Sequence, residues 1–171
     1  DTITVTPNEK GEWKYTSKEL PKYRADGKTE ITYTVDEDEP AGYTKKVEGT
    51  TITNTLETVE ISGEKTWDMQ GYSVSKPGSI TVKVKDGDSV VDTITVTPNE
   101  KGEWKYTSKK LPKYRADGTT KITYTVDEDV PSGYKKSVTG YNIKNTYKPD
   151  TKTVSGEKKW DLKGNTGIVL P

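Results

Sequence analysis

Apolar and polar residues alternate along most of this chain with a period of two, the spacing of a β-strand with one buried face. In the stretch 121–128, Ile122, Tyr124 and Val126 alternate with threonines. Tyr141, Ile143 and Tyr147 mark one face of 140–147, and Ile61 and Trp67 mark one face of 59–68. Read in this way, strands are expected at 59–68, 79–85, 89–97, 103–108, 121–128, 134–138 and 140–147. The second and third form a hairpin around Asp86-Gly87. Residues 69–78, with Gly71, Pro77 and Gly78, read as a loop, and Leu111-Pro112-Lys113-Tyr114 as a connection. No stretch shows convincing helical periodicity. About seven short strands with turns between them predict an all-β chain, an antiparallel β-sandwich.

The chain also repeats. Asp1 to Lys18 recurs unchanged as Asp92 to Lys109, a displacement of 91 positions. The match continues from Leu20 to Gly27 and Leu111 to Gly118, then from Ile31 to Asp38 and Ile122 to Asp129. A second match joins Ser62-Gly63-Glu64-Lys65 with Ser155-Gly156-Glu157-Lys158, each followed by a Trp two residues later. The implied unit is about 90 residues, an ordinary size for a β-sandwich. Residues 58–149 form one whole unit. Residues 1–57 read as the later part of a preceding unit that lacks its first strands, and 150–171 as the opening strand of a following one. Short linkers between near-identical units point to a semi-rigid rod of tandem repeats.

Composition narrows the chemistry. Lys+Arg 27 balance Asp+Glu 27, so the net charge offers nothing to nucleic acid or to an anionic membrane. No stretch is long enough to span a bilayer, and no signal peptide opens the chain. Without Cys or His, Ser-His and Cys-His nucleophile systems, disulfides and most zinc sites are excluded. The acidic runs Asp36 to Glu39 and Asp127 to Asp129 read as solvated turns and not as a metal site, and no cofactor is called for.

Three polar residues nevertheless fall on faces that alternation assigns to the interior. Lys65 shares its parity with Ile61 and Trp67, Glu128 with Tyr124 and Val126, and Asn145 with Ile143 and Tyr147. Buried charges need partners, and a Lys–Glu ion pair with Asn as an extra hydrogen-bond partner is one reading. The other is chemical. Burial favours a neutral amine and a neutral carboxylic acid. A neutral Lys65 could attack the side-chain carbonyl of Asn145 while Glu128 moves protons, leaving an amide crosslink and expelling ammonia. Residues 1–57 repeat two of the three, Glu37 and Asn54, and Lys158 repeats the lysine ahead of Trp160.

Several stretches together resemble the CnaB-type repeats of Gram-positive surface adhesins, the B-region modules of collagen adhesins among them. They are Ile61 to Asp68, Leu111 to Tyr114, Ile122 to Asp129, Gly133-Tyr134 and Asn142 to Tyr147. The resemblance implies a small sandwich with inverse immunoglobulin-like topology and an intramolecular Lys–Asn isopeptide bond assisted by an acidic residue. Carried over, Lys65 is the nucleophile, Asn145 the acceptor and Glu128 the proton relay. Glu37 and Asn54 match relay and acceptor in the first unit, and Lys158 the nucleophile of the third. Asn54 and Lys158 are then candidate unpaired crosslink partners, and an open sheet edge invites strand swapping.

The resemblance further implies a secreted, cell-wall-anchored stalk that self-crosslinks once and is not a turnover enzyme. Its expected partners are neighbouring repeats and the adhesin's ligand-binding region, with host extracellular matrix as a candidate. A different reading is a sandwich that contacts matrix or glycan directly through loops such as Tyr114 to Gly118. A pilus shaft would need a sorting signal and a donor lysine motif, and neither is visible.

Overall fold

The computed structural model describes residues 1–170, and Pro171 lies outside the described residues. The chain divides into two compact units, residues 1–57 and Thr58 onward. The described residues hold eleven strands and no helix, so no helix is long and apolar enough to cross a membrane.

In the second unit a four-stranded sheet runs in the order β10-β11-β4-β7. Its members are β4 (Ser62–Asp68), β7 (Trp104–Thr107), β10 (Tyr134–Thr139) and β11 (Asn142–Tyr147). A three-stranded sheet, β6-β5-β9, consists of β5 (Ile80–Asp86), β6 (Ser89–Val96) and β9 (Tyr124–Glu128). All pairings are antiparallel except one: β11 runs parallel to β4, so the last strand lies beside the first long one.

The core follows from alternation. β5 lies between two partners and buries Ile80, Val82 and Val84, with Val82 and Val84 fully inaccessible. They pack in one cluster with Trp104 and Tyr106 of β7, Val126 of β9 and Ile143 of β11. Full burial of each such aliphatic side chain contributes about 1.5–3 kcal/mol. The hairpin turns at Gly87, whose φ of 57° is one that glycine adopts without steric penalty.

Within this unit two expectations need correction. Leu111–Pro112, expected in a connection, is strand β8, paired with β3 (Thr58–Val59). Tyr141, expected on the buried face, is 37% exposed. It lies in the turn before β11, where the strand parity that buries Ile143 and Asn145 has not begun.

Residues 1–57 contain two strands, β1 (Tyr43–Glu48) and β2 (Thr51–Leu56), joined as a hairpin. The segment 1–18 is identical in sequence to one that contributes to β6 and all of β7, yet it carries no strand. The reason is non-local. β6 pairs with β5 and β7 pairs with β4, and residues 1–57 hold no counterpart of β4 or β5. The strand expected at Ile31 to Asp38 is missing for the same reason, because its counterpart β9 also pairs with β5.

Local structure survives without such partners. Asn8 Oδ1 accepts from the amides of Lys10 and Glu12 just as Asn99 Oδ1 accepts from those of Lys101 and Glu103. Residues 150–170 likewise form no strand, although they keep the turn of 68–72. Gln70 and Lys163 both have positive φ, 53° and 51°, in equivalent positions.

Candidate functional site

Lys65, Glu128 and Asn145 come together inside the second unit. They are 2%, 3% and 0% exposed, and with Ser108 they are its buried polar residues. Lys65 and Asn145 stand on neighbouring strands. Lys65 is level with Ile143, and Asn145 with Trp67. Given the strand spacing and rise, their Cα atoms lie roughly 8 Å apart, within reach of a lysine side chain. Glu128 approaches from the other sheet, at the end of β9.

Burial dominates the electrostatics. Desolvation lowers the Lys65 pKa from 10.5 to about 8, against an opposing pull from Glu128. Desolvation likewise raises Glu128 above 4.5, opposed by the charge of Lys65 and by Asn145. Lys65 Nζ donates to the Thr66 carbonyl at 2.8 Å and sits 3.7 Å from the centroid of the Trp67 ring. No ion pair closes between Lys65 and Glu128: both Glu128 carboxylate oxygens lack a hydrogen-bond partner, as do Asn145 Oδ1 and Nδ2. Asn145 is near enough to bias the charge of Glu128, but the two side chains do not meet hydrogen-bond geometry. Buried polar atoms without a partner cost about 1–3 kcal/mol each. As a static network the trio is therefore costly, with the carboxylate and carboxamide both unpartnered.

The flanking acidic residues do not enter this site. Asp127 pairs with Lys136, and Asp129 pairs with Lys83 at 2.6 Å. Among the described residues no three His, Cys, Asp or Glu side chains cluster to hold a metal. The loop 114–118 is tied down: Arg115 forms a two-pronged ion pair with Asp86, and Asp117 accepts from the amides of Thr119 and Thr120.

The repeated residues fare differently. In the first unit Asn54 Nδ2 donates to Glu37 Oε1 at 2.5 Å, with Asn54 exposed. Lys158 is exposed and sits 4.0 Å from the ring centroid of Trp160. That contact repeats the one between Lys65 and Trp67. Trp67, which alternation assigns to the buried face, also forms a wall over the amine, a role that alternation alone does not reveal. The twice-occurring Lys-x-Trp spacing was the available signal.

The Cna protein B-type domain family matches residues 1–55 and 61–146. This chain belongs to that family. It is 37% identical over 163 residues to the collagen adhesin of Staphylococcus aureus, a match that takes in 90% of this chain and 13% of that protein. The chain thus spans a small part of the length of that relative. The crystal structure of two B repeat units of the S. aureus collagen binding protein matches 84% of this chain and 39% of its own, with 34% identity and a TM-score of 0.51. A single B repeat unit of the same protein matches 54% of this chain and 48% of its own, with 36% identity and a TM-score of 0.48. The fold is thus the all-β sandwich of B-type repeats, with inverse immunoglobulin-like topology and tandem units.

Proposed function

We propose that this B-type chain is a structural stalk segment of a Gram-positive cell-surface adhesin, stapled internally by an isopeptide bond between Lys65 and Asn145. The observation that carries the staple is the burial of an amine, a carboxyl and a carboxamide together, on the first and last long strands and the facing sheet, with no ion pair to hold them. In the reaction, Glu128 takes a proton from the Lys65 ammonium, and the neutral Nζ attacks Cγ of Asn145. The Cγ–Nδ2 bond breaks as the new C–N bond forms. Glu128 delivers that proton to the departing nitrogen, which leaves as ammonia, and takes up the second proton that Nζ gives up as the amide forms. The chemistry consumes its own residues, so the domain turns over once and is not an enzyme in the ordinary sense.

The likeness to a collagen adhesin supports a position at the cell surface, and in this reading the module is secreted and joined to the wall through the rest of its protein. There it spaces a ligand-binding region, with other repeats as its neighbours and host matrix as the target of the whole adhesin. Intact mass of the unfolded chain tests the staple. A loss of about 17 Da, one ammonia per bond, is expected in the parent and absent in Lys65→Ala, Asn145→Ala and Glu128→Ala. A parent at full mass overturns it.

A further inference from the structure

β4 lies between β7 and β11, and at one level the three strands are bridged over the top. Gly63 pairs with Tyr106 across β4 and β7. The parallel register that sets Lys65 beside Ile143 brings Tyr141, two residues earlier, level with Gly63. The Tyr106 hydroxyl reaches across β4 and donates to the Tyr141 carbonyl. Burial and the nearby Glu128 charge push the phenol pKa up to about 12, so it remains a donor at any ordinary pH.

Only a residue without a side chain fits beneath this bridge. A Cβ at position 63 would lie 2.7 Å from the Tyr106 hydroxyl oxygen and 2.8 Å from its ring carbon Cζ, and it would collide with the Tyr141 carbonyl oxygen. Gly63 is not among the glycines with positive φ, so space and not backbone conformation demands glycine here. The bridge recurs in residues 1–57, where the Tyr15 hydroxyl donates to the Thr50 carbonyl, 91 positions earlier at both ends. That unit has no counterpart of β4, so the bridge forms without a strand beneath it.

We propose that the Tyr106–Tyr141 bridge is a register pin for β4, with Gly63 as its seat, and that these are positioning residues for the crosslink. Alternation already forbids a slip of one residue, which would turn Lys65 to solvent. A slip of two keeps every face correct, and alternation does not oppose it. It would shift Lys65 by about 6.6 Å along β11, out of reach of Asn145. The pin blocks that slip because its hydrogen bond holds the ring down over β4, and the other residues on this face, Ile61, Lys65 and Trp67, are each too large to pass under a ring so held. The lysine must then stand two positions after the glycine, as it does in Ser62-Gly63-Glu64-Lys65 and again in Ser155-Gly156-Glu157-Lys158. The link from register to crosslink rests on the proposed Lys65–Asn145 reaction, whereas the pin itself does not.

Disulfide trapping reads the register directly, since the chain has no cysteine of its own. In a Lys65→Met background, Glu64→Cys with Lys105→Cys reports the native register, in which those residues are opposite. Ser62→Cys with Lys105→Cys reports a two-residue slip. With Tyr106 present only the native pair is expected to oxidise, whereas Tyr106→Phe should let the slipped pair form as well. In the Lys65 chain, Tyr106→Phe should slow the 17-Da loss by at least about tenfold, the cost of misplaced reacting atoms. Gly63→Ala should abolish the loss, and Tyr106→Phe keeps the idea testable if that variant does not fold. A slipped pair that stays reduced in Tyr106→Phe overturns the pin. If the parent never loses ammonia, the crosslink reading fails while the disulfide result still decides the pin.

Discussion

Lys65 and Asn145 stand two register positions apart on neighbouring parallel strands, both side chains on the buried face. A parallel pairing of the first and last long strands means that a covalent bond there closes a loop of roughly 80 residues, nearly the whole unit. By the loop-entropy relation used for disulfides, such a closure is worth about 4–5 kcal/mol. The proposed crosslink would give a thin sandwich in a cysteine-free chain the stabilisation of a long-range disulfide in a form that reduction does not open.

Removing either partner removes the proposed staple, but the two variants should differ in stability. Asn145→Ala leaves Lys65 buried as an amine. A folded pKa near 8 against 10.5 unfolded corresponds to a penalty of roughly 3 kcal/mol at pH 7. Lys65→Met fills the same space with an apolar chain and avoids that penalty. Both variants are expected at full mass, with Lys65→Met the more stable of the two by chemical denaturation. Equal stability would show that the amine is not desolvated as described.

The same penalty sets a pH dependence in the uncrosslinked Asn145→Ala chain. The folded state gives up the Lys65 proton near pH 8, while the unfolded state holds it until about 10.5. Between those values the unfolded state binds more protons, so stability rises with pH. Glu128 acts in the opposite sense: its raised folded pKa means stability is lost as pH climbs from 4.5 through that value. Denaturation midpoints from pH 7 to 10.5 check the lysine limb, and a flat or falling profile there would refute it.

Crosslinking itself should show a bell-shaped rate. The reactive form carries one proton shared by Lys65 and Glu128, and the pair titrates as a unit. Acid adds a second proton and blocks the amine, whereas loss of the shared proton near pH 8 removes the acid. Chain recovered unfolded from inclusion bodies and refolded at each pH, with mass followed over time, gives the profile. Glu128→Gln, which fills the space without a proton to move, is expected to fold and to stay at full mass. Crosslinking at the parental rate in that variant would remove Glu128 from the mechanism.

The strands of the whole unit and the three inward polar residues were legible because alternation is a local signal and the second unit supplies every partner it needs. What the sequence concealed was non-local. Nothing in the residues of 1–18 distinguishes them from 92–109, and whether they become strands depends on β4 and β5. Tyr141 kept the parity of its strand in sequence but lies in the turn before it. The bridge over Gly63 was equally hidden, because a phenol that reaches past a neighbouring strand leaves no periodic trace.

That dependence on partners gives the last prediction, in which one tryptophan is compared with its twin in an identical segment. Trp104 is 4% exposed, held between β4 and the facing sheet, whereas Trp13 is 66% exposed. Truncating a buried tryptophan costs about 3–5 kcal/mol, so Trp104→Ala should destabilise the second unit by that much. An exposed one supports little, so Trp13→Ala should change stability by no more than about 0.5 kcal/mol. In single-tryptophan variants, acrylamide should quench Trp13 strongly and Trp104 weakly. Equal quenching, or a large loss of stability on Trp13→Ala, would mean that the first unit finds partners for its strands elsewhere. A second copy of the chain would be the first place to look, since unpaired strand edges invite such pairing.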